Sequence, residues 1–186
     1  MSVLGNGLFD SDHHEDALSV EEANLSTRRR IGDSEHNILV VQDNISSSYA
    51  ELGRYEEALR IERELYARRS ALHGLNIETL TAAANLASTL IDNLKQFDEA
   101  RAFLRDRIPE AMRVCGKDHD ITFKMQRMYA QCLFQNDGAS RSDLTEAVAK
   151  LEDLDRRQTR IFGASHPQTD STRRCLQVAR EKLARA

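Results

Sequence analysis

His13 and His14, followed by Glu15 and Asp16, bring four metal-ligand side chains into one short run. Adjacent side chains on a helix point about 100° apart, so the two imidazoles diverge instead of closing on one ion. The run reads as an exposed N-terminal segment, and no metal site is expected. His119 and His166 each follow a glycine by three residues, Gly116 and Gly163. That recurrence points to a structural role where helices start, not to catalysis. Cys115, Cys132 and Cys175 are odd in number and widely spaced, and no Cys-x-x-Cys pair occurs. They suit buried thiols in a reducing compartment better than a disulfide framework. No Gly-x-Ser-x-Gly, His-Glu-x-x-His or glycine-rich phosphate loop is present, and Gly5-Asn6-Gly7 is too short to cradle a phosphate. No catalytic residue, metal or cofactor is expected. The chain does not read as an enzyme.

Whatever these side chains do, structural elements must hold them in place, and the composition says which. Hydrophobic residues make up 40% and charged residues 30%, with only 2 Pro and no Trp among 186 residues. Ala, Leu, Glu and Arg are good helix formers, and period-two alternation of β-branched residues is missing, so an all-α chain is expected. The net charge of −4 argues against nucleic acid, which demands a basic face. The basic runs Arg28–Arg30, Arg68–Arg69, Arg156–Arg157 and Arg173–Arg174 fall mostly near the C-termini of expected helices, where they complement the helix dipole. The N-terminus has no secretory pattern, and no apolar run nears the roughly 18 residues of a membrane span. A soluble, cytoplasmic protein with no membrane partner is the expectation.

The organisation is repetitive. "LGRYEEAL" begins at Leu52 and "LKQFDEAR" at Leu94. Glycines after Arg-rich helix ends stand at Gly32, Gly74, Gly116 and Gly163. The first three are 42 residues apart; the last interval holds five more, which "NDGASRSD" at 136–143 accommodates as a loop. Behind it "LTEAV" at 144–148 takes the place of "YEEAL". Fixed self-similarity of this kind means stacked helical pairs. In one unit a first helix runs from about His36 to Leu52. Gly53 then makes the turn, and a second helix runs to about Leu72 with Tyr55, Ala58, Ile61, Leu65 and Leu72 along one side. Ala58 is small so that the paired helices approach closely.

The expected layout is a flexible segment over 1–14, then a solenoid over 15–186. The solenoid comprises a half repeat (15–32), repeats over about 33–74, 75–116 and 117–163, and a terminal helix over 168–186, some eight helices in all. The last helix, with Thr172, Cys175, Leu176, Ala179 and Leu183 in one stripe, suits a polar cap on the stack. A piece of a longer array would look the same. One irregularity stands out: the unit containing Asn85 is one residue short before that asparagine and one residue long after it.

"LGRYEEAL" resembles the turn of a tetratricopeptide repeat. The longer period, with "GASHPQT" (163–169), "GKDHDIT" (116–122), "ETLTAAANLA" (78–87) and "YEEAL" (55–59), is similar to the kinesin light chain type of that repeat. His-Pro occurs only at His166–Pro167, and Asn-Leu-Ala is intact only at 85–87. The resemblance implies a right-handed superhelical solenoid of antiparallel helix pairs whose first helices line a concave face. It also implies that this face binds peptides, with Asn amides meeting the peptide backbone as donor and acceptor at once.

Registering each first helix on the Asn-Leu-Ala position gives the implied lining. It comprises Val40, Asp43, Asn44 and Ser47; Thr81, Ala84, Asn85 and Ser88; Lys124, Arg127 and Gln131; and Ser171 and Arg174. The face is expected to be polar at first and positive further on. It would accept an acidic or C-terminal carboxylate segment of a partner protein at Lys124, Arg127 and Arg174. Asn44 and Asn85 could instead bond to neighbouring backbone. The competing reading is a structural or oligomerising scaffold that self-associates through the array ends without a peptide ligand.

Overall fold

The computed structural model describes residues 14–186. The expectations for His13 and for Gly5–Gly7 lie outside them, as does nearly all of the 1–14 segment. Every regular element among the described residues is helical. The chain divides into two compact units, the first ending at Gly74 and the second running from Leu75 to Ala186.

In the first unit, α1 (His14–Arg30), α2 (Glu35–Glu51) and α3 (Tyr55–His73) pack with α2 against both neighbours. Ser34 caps α2, its hydroxyl accepting from the Asn37 N–H at 3.3 Å. Asp33 braces the same turn by accepting from the Ser34 N–H and the Asn37 side chain while pairing with Arg28. These contacts hold its carboxyl below the usual range, the Asn37 bond foremost. Leu18, Leu39, Val41, Ile45, Ile61 and Leu65 form the core, with Leu25, Tyr49 and Leu52 against it.

Two expectations for α3 need correction. Leu72 is 51% exposed, not part of the buried stripe. Arg68 already meets Glu35, the first residue of α2, so one turn further along α3 nothing remains opposite. The arginine pair does more than complement a dipole: Arg68 also reaches Gln42 at 3.0 Å, and Arg69 pairs with Asp43. Both clamp the end of α3 to α2.

The second unit holds α4 (Ile77–Ser88), α5 (Phe97–Val114), α6 (Asp120–Gln135), α7 (Arg141–Phe162) and α8 (Pro167–Arg185). Between α4 and α5 lies a π-helical segment, Thr89–Asn93. α6 is central and packs against the other four helices and the π segment. Phe123, Ala130, Leu133, Phe134, Leu144, Ala147, Leu151, Leu154, Leu176 and Ala179 form the core around it and α7. Cys175 and Leu183 are only partly buried against that core.

The π segment is where the extra residue after Asn85 goes. In α2 the Arg54 N–H closes the helix end on the Tyr49 carbonyl, at 2.8 Å. The matching bond in the second unit runs from the Gln96 N–H to the Leu90 carbonyl, also at 2.8 Å, and spans one residue more. The helix widens by that residue, and Leu94 donates to Thr89 in the i to i+5 pattern. In both, the residue just before the donor is left-handed, Gly53 at φ 72° and Lys95 at φ 57°. A Cβ at Gly53 would meet nothing within 4 Å, so the backbone angle, and not space, favours glycine there.

Ala58 and Ala100, at the helix-pair crossings, are 0% exposed. Replacing Ala100 with Leu is expected to destabilise the fold by about 1–3 kcal/mol by overpacking the crossing, read from urea unfolding midpoints. Lys95→Gly is expected to stabilise by about 1 kcal/mol and Gly53→Lys to destabilise by about as much, because a left-handed backbone costs a side-chain-bearing residue roughly that. Thermal unfolding of the two variants side by side checks the sign; shifts in the same direction would refute it.

Candidate functional site

The site residues fall on three first helices of the repeats, α2, α4 and α6, and on α8. α4 is buried along most of its circumference because α5 and α6 both pack on it: Thr79, Leu80, Ala82, Ala83, Leu86 and Ala87 are all buried. Ala84 is 0% exposed too, so it does not line the face as expected. One narrow stripe remains outside, with Thr81 and Asn85 exposed and Ser88 half-buried.

On α6 the outward stripe carries half-buried Lys124, Arg127 and Gln131 at helical spacing. The structure brings this stripe and that of α4 together through a residue the sequence reading missed. Asp92, in the π segment, accepts from the Ser88 hydroxyl at 2.8 Å and from the Gln131 side-chain amide at 3.0 Å. Its charge also acts on Lys124. The sign that could have found it was the surplus residue after Asn85, since a widened turn swings the side chains within it to new directions. The end expected to be positive therefore also contains an acid.

Lys124 and Arg127 make no hydrogen bond or ion pair among the described residues. Burial pushes the Lys124 ammonium below its ordinary pKa, Arg127 adds to that by repulsion, and Asp92 opposes it. Most other arginines in the same unit are engaged. Arg157 pairs with Asp118 and Asp153, bonds to the Lys117 carbonyl and lies 4.9 Å over the Phe123 ring. Arg173 pairs with Asp155, Arg180 with Glu152 and Arg101 with Asp143.

Arg174 is exposed on α8 and pairs with Asp170 at 3.1 Å. No bond joins it to Lys124 or Arg127. Its neighbour Ser171 is half-buried and accepts from the Arg174 guanidinium at 3.4 Å. In the first unit Asn44 is half-buried, its Nδ2 enclosed with no partner, and Ser47 is exposed with its hydroxyl on the Asp43 carbonyl. Val40 is half-buried, and Asp43 is taken up by Arg69. Neither Asn44 nor Asn85 bonds to neighbouring backbone through its amide.

The remaining reactive side chains are accounted for by the fold. His119 and His166 cap α6 and α8, each Nδ1 accepting a backbone N–H, from Ile121 at 3.2 Å and Gln168 at 3.3 Å. Thr122 and Thr169, three residues on, donate to the carbonyls of Gly116 and Gly163. Burial pushes the Cys132 thiol up to about 12, so at neutral pH it is no nucleophile. Cys115 and Cys175 are half-buried, not fully so. His14 opens α1. Among the described residues no three His, Cys, Asp or Glu side chains are grouped to hold a metal, and no helix is long and apolar enough to cross a membrane.

Residues 38–76 and 79–120 match the tetratricopeptide repeat family. No curated protein matches the chain. Among solved structures, a Podosopora anserina putative kinesin light chain with nearly identical TPR-like repeats has 20% identity to this chain. It aligns over 98% of this chain and 84% of its own, with a TM-score of 0.77. BtubC (BKLC) from P. vanneervenii aligns over 99% of this chain and 76% of its own, at 16% identity and a TM-score of 0.63. At such identities the likeness is one of fold: an all-α, TPR-like solenoid. The repeat matches, the motifs and the fold agree on tetratricopeptide-type repeats over residues 38–76 and 79–120 and on a TPR-like solenoid fold.

Proposed function

We propose that the protein is a non-catalytic interaction module that binds a segment of a partner protein, and that the outward stripes of α4 and α6 are where an acidic side chain or a C-terminal carboxylate docks. Tetratricopeptide repeats mediate protein–protein interactions, which gives the broad class. The observation that carries the finer reading is the pair of unpartnered cations, Lys124 and Arg127, on a unit whose other arginines are mostly paired. A half-buried ammonium beside a guanidinium is a poor arrangement for a bare helix surface. It is a good one for a carboxylate, which both can donate to. Asn85, exposed and unengaged, is placed to meet peptide backbone beside it. Asn44, with its enclosed Nδ2, would serve the first unit in the same way. Arg174 is a weaker contributor, because Asp170 already claims it.

Selection of a random peptide library on the immobilised protein is expected to enrich Asp, Glu or a free C-terminus. A Lys124→Gln/Arg127→Gln variant should lose about tenfold in affinity for the enriched peptides, and Arg174→Gln less than about threefold. Equal capture by the double variant would refute the carboxylate site. A concentration-dependent dimer in light scattering, with no peptide enriched, would favour the scaffold reading instead. A second measurement tests the electrostatics without a ligand. The Lys124 ammonium, followed by NMR, is expected to titrate below an ordinary lysine. It should move up in Arg127→Gln, which removes a repelling charge, and further down in Asp92→Asn, which removes an attracting one.

A further inference from the structure

Asp92 sits inside a polar face whose other named charges, Lys124 and Arg127, are cationic, and it is fixed in place there. Its two carboxylate oxygens are anchored from two different helices, by Ser88 on α4 and Gln131 on α6. It is exposed, and a carboxylate offers about four lone-pair sites, so capacity remains on its outer side. Its position depends on the π segment, a kind of insertion that is rare in helices and recurs at functional sites.

We infer that Asp92 is a specificity-determining residue: it selects segments in which a basic side chain accompanies the carboxylate, and it rejects uniformly acidic ones. This rests on the carboxylate site proposed above. The spacing follows from helix geometry. Asp92 is bonded to Gln131, which lies four residues beyond Arg127 and seven beyond Lys124 on α6. At a rise of about 1.5 Å per residue those offsets are about 6 and 10 Å along the axis. An extended segment advances about 3.3 Å per residue and presents every second side chain on one face. A carboxylate and a basic group two residues apart therefore span the distance from Arg127 to Asp92. A second carboxylate in place of the base would face Asp92 with like charge, and specificity of this kind comes from repulsion as much as attraction.

The test uses the full chain and three acetylated, amidated Ala/Ser nonapeptides. One carries Glu and Arg two positions apart, one carries Glu and Glu, and one carries Glu and citrulline, the neutral near-isostere of Arg. Binding is read from amide shifts on titration. The wild type is expected to bind the Glu/Arg peptide about fivefold or more tighter than the Glu/Glu peptide, with the citrulline peptide between them. Asp92→Asn, which preserves shape and hydrogen-bonding capacity, is expected to abolish or reverse the preference. If Glu/Glu binds the wild type as well as Glu/Arg, with binding still dependent on Lys124 and Arg127, the role of Asp92 is refuted and the carboxylate site stands. If the citrulline peptide equals the Glu/Arg peptide on the wild type, the charge of the base is irrelevant and the inference falls, without recourse to any variant. If no peptide shifts the α4 and α6 resonances, both readings fall together.

Discussion

The contact on which the rest depends is the close crossing of each helix pair at an alanine. Ala58, Ala100 and Ala147 hold the same place in successive repeats, and each is 0% exposed. A methyl group there lets the backbones approach until the flanking larger side chains, Leu59 and Leu65 or Leu104, close over the seam. That approach fixes which residues of the first helix face its partner, and by elimination which face outward. In α2 the fit is close enough for the Ser46 hydroxyl to reach the Ala58 carbonyl at 3.2 Å. The outward faces of the first helices are the remainder after this packing has been satisfied.

An added residue therefore has few places to go. Between Asn85 and the turn it cannot enter the crossing without rotating α5 off its alanine. It cannot enter the turn without losing the bond from Gln96 to Leu90, which repeats the bond from Arg54 to Tyr49. It is absorbed in the body of the helix as a π turn, leaving the seam and the turn intact. The left-handed residue after it is Lys95 instead of glycine, and its ammonium donates to the Asp92 carbonyl at 2.7 Å. The consequence falls on the outer surface alone, where Asp92 swings into reach of Ser88 and Gln131. An irregularity in the repeat thus became a change in the face and not in the fold.

This division explains what could be read from the sequence. Helix order, the turns at Gly53 and after Phe162, the histidine starts and the buried alanines all follow from local rules or from the period, and the period is visible in one chain. Ala84 escapes such a reading because the register of one repeat says which residue follows which, not how many neighbours a helix has; α4 is enclosed by two helices and keeps only a narrow outer stripe. Leu72 escapes it because the stripe of α3 continues in sequence past the point where its antiparallel partner α2 begins, at Glu35. The arginine runs look like helix-end charges. Their partners Gln42, Asp43 and Asp118 are distant in the chain and become neighbours only once the helices are paired. Asp92 was hidden in the one place where the period slipped.

The arginine clamps bear on the proposed site itself. An ion pair at a half-exposed surface adds little stability taken singly, so the abundance of such pairs is weak support for the fold. It is better support for a contrast. Where a cation has a helix or loop to hold, as Arg69 and Arg157 do, the chain supplies the acid, and for Arg157 an aromatic face as well. Among the described residues Lys124 and Arg127 hold nothing, and Asp92, whose charge acts on Lys124, is committed to Ser88 and Gln131 instead of to them. Desolvating an ammonium without a partner opposes folding, and here burial outweighs the nearby acid in lowering its pKa. On the proposed function that disadvantage is confined to the free protein. An incoming carboxylate relieves it, so the same burial that weakens the empty face strengthens the occupied one.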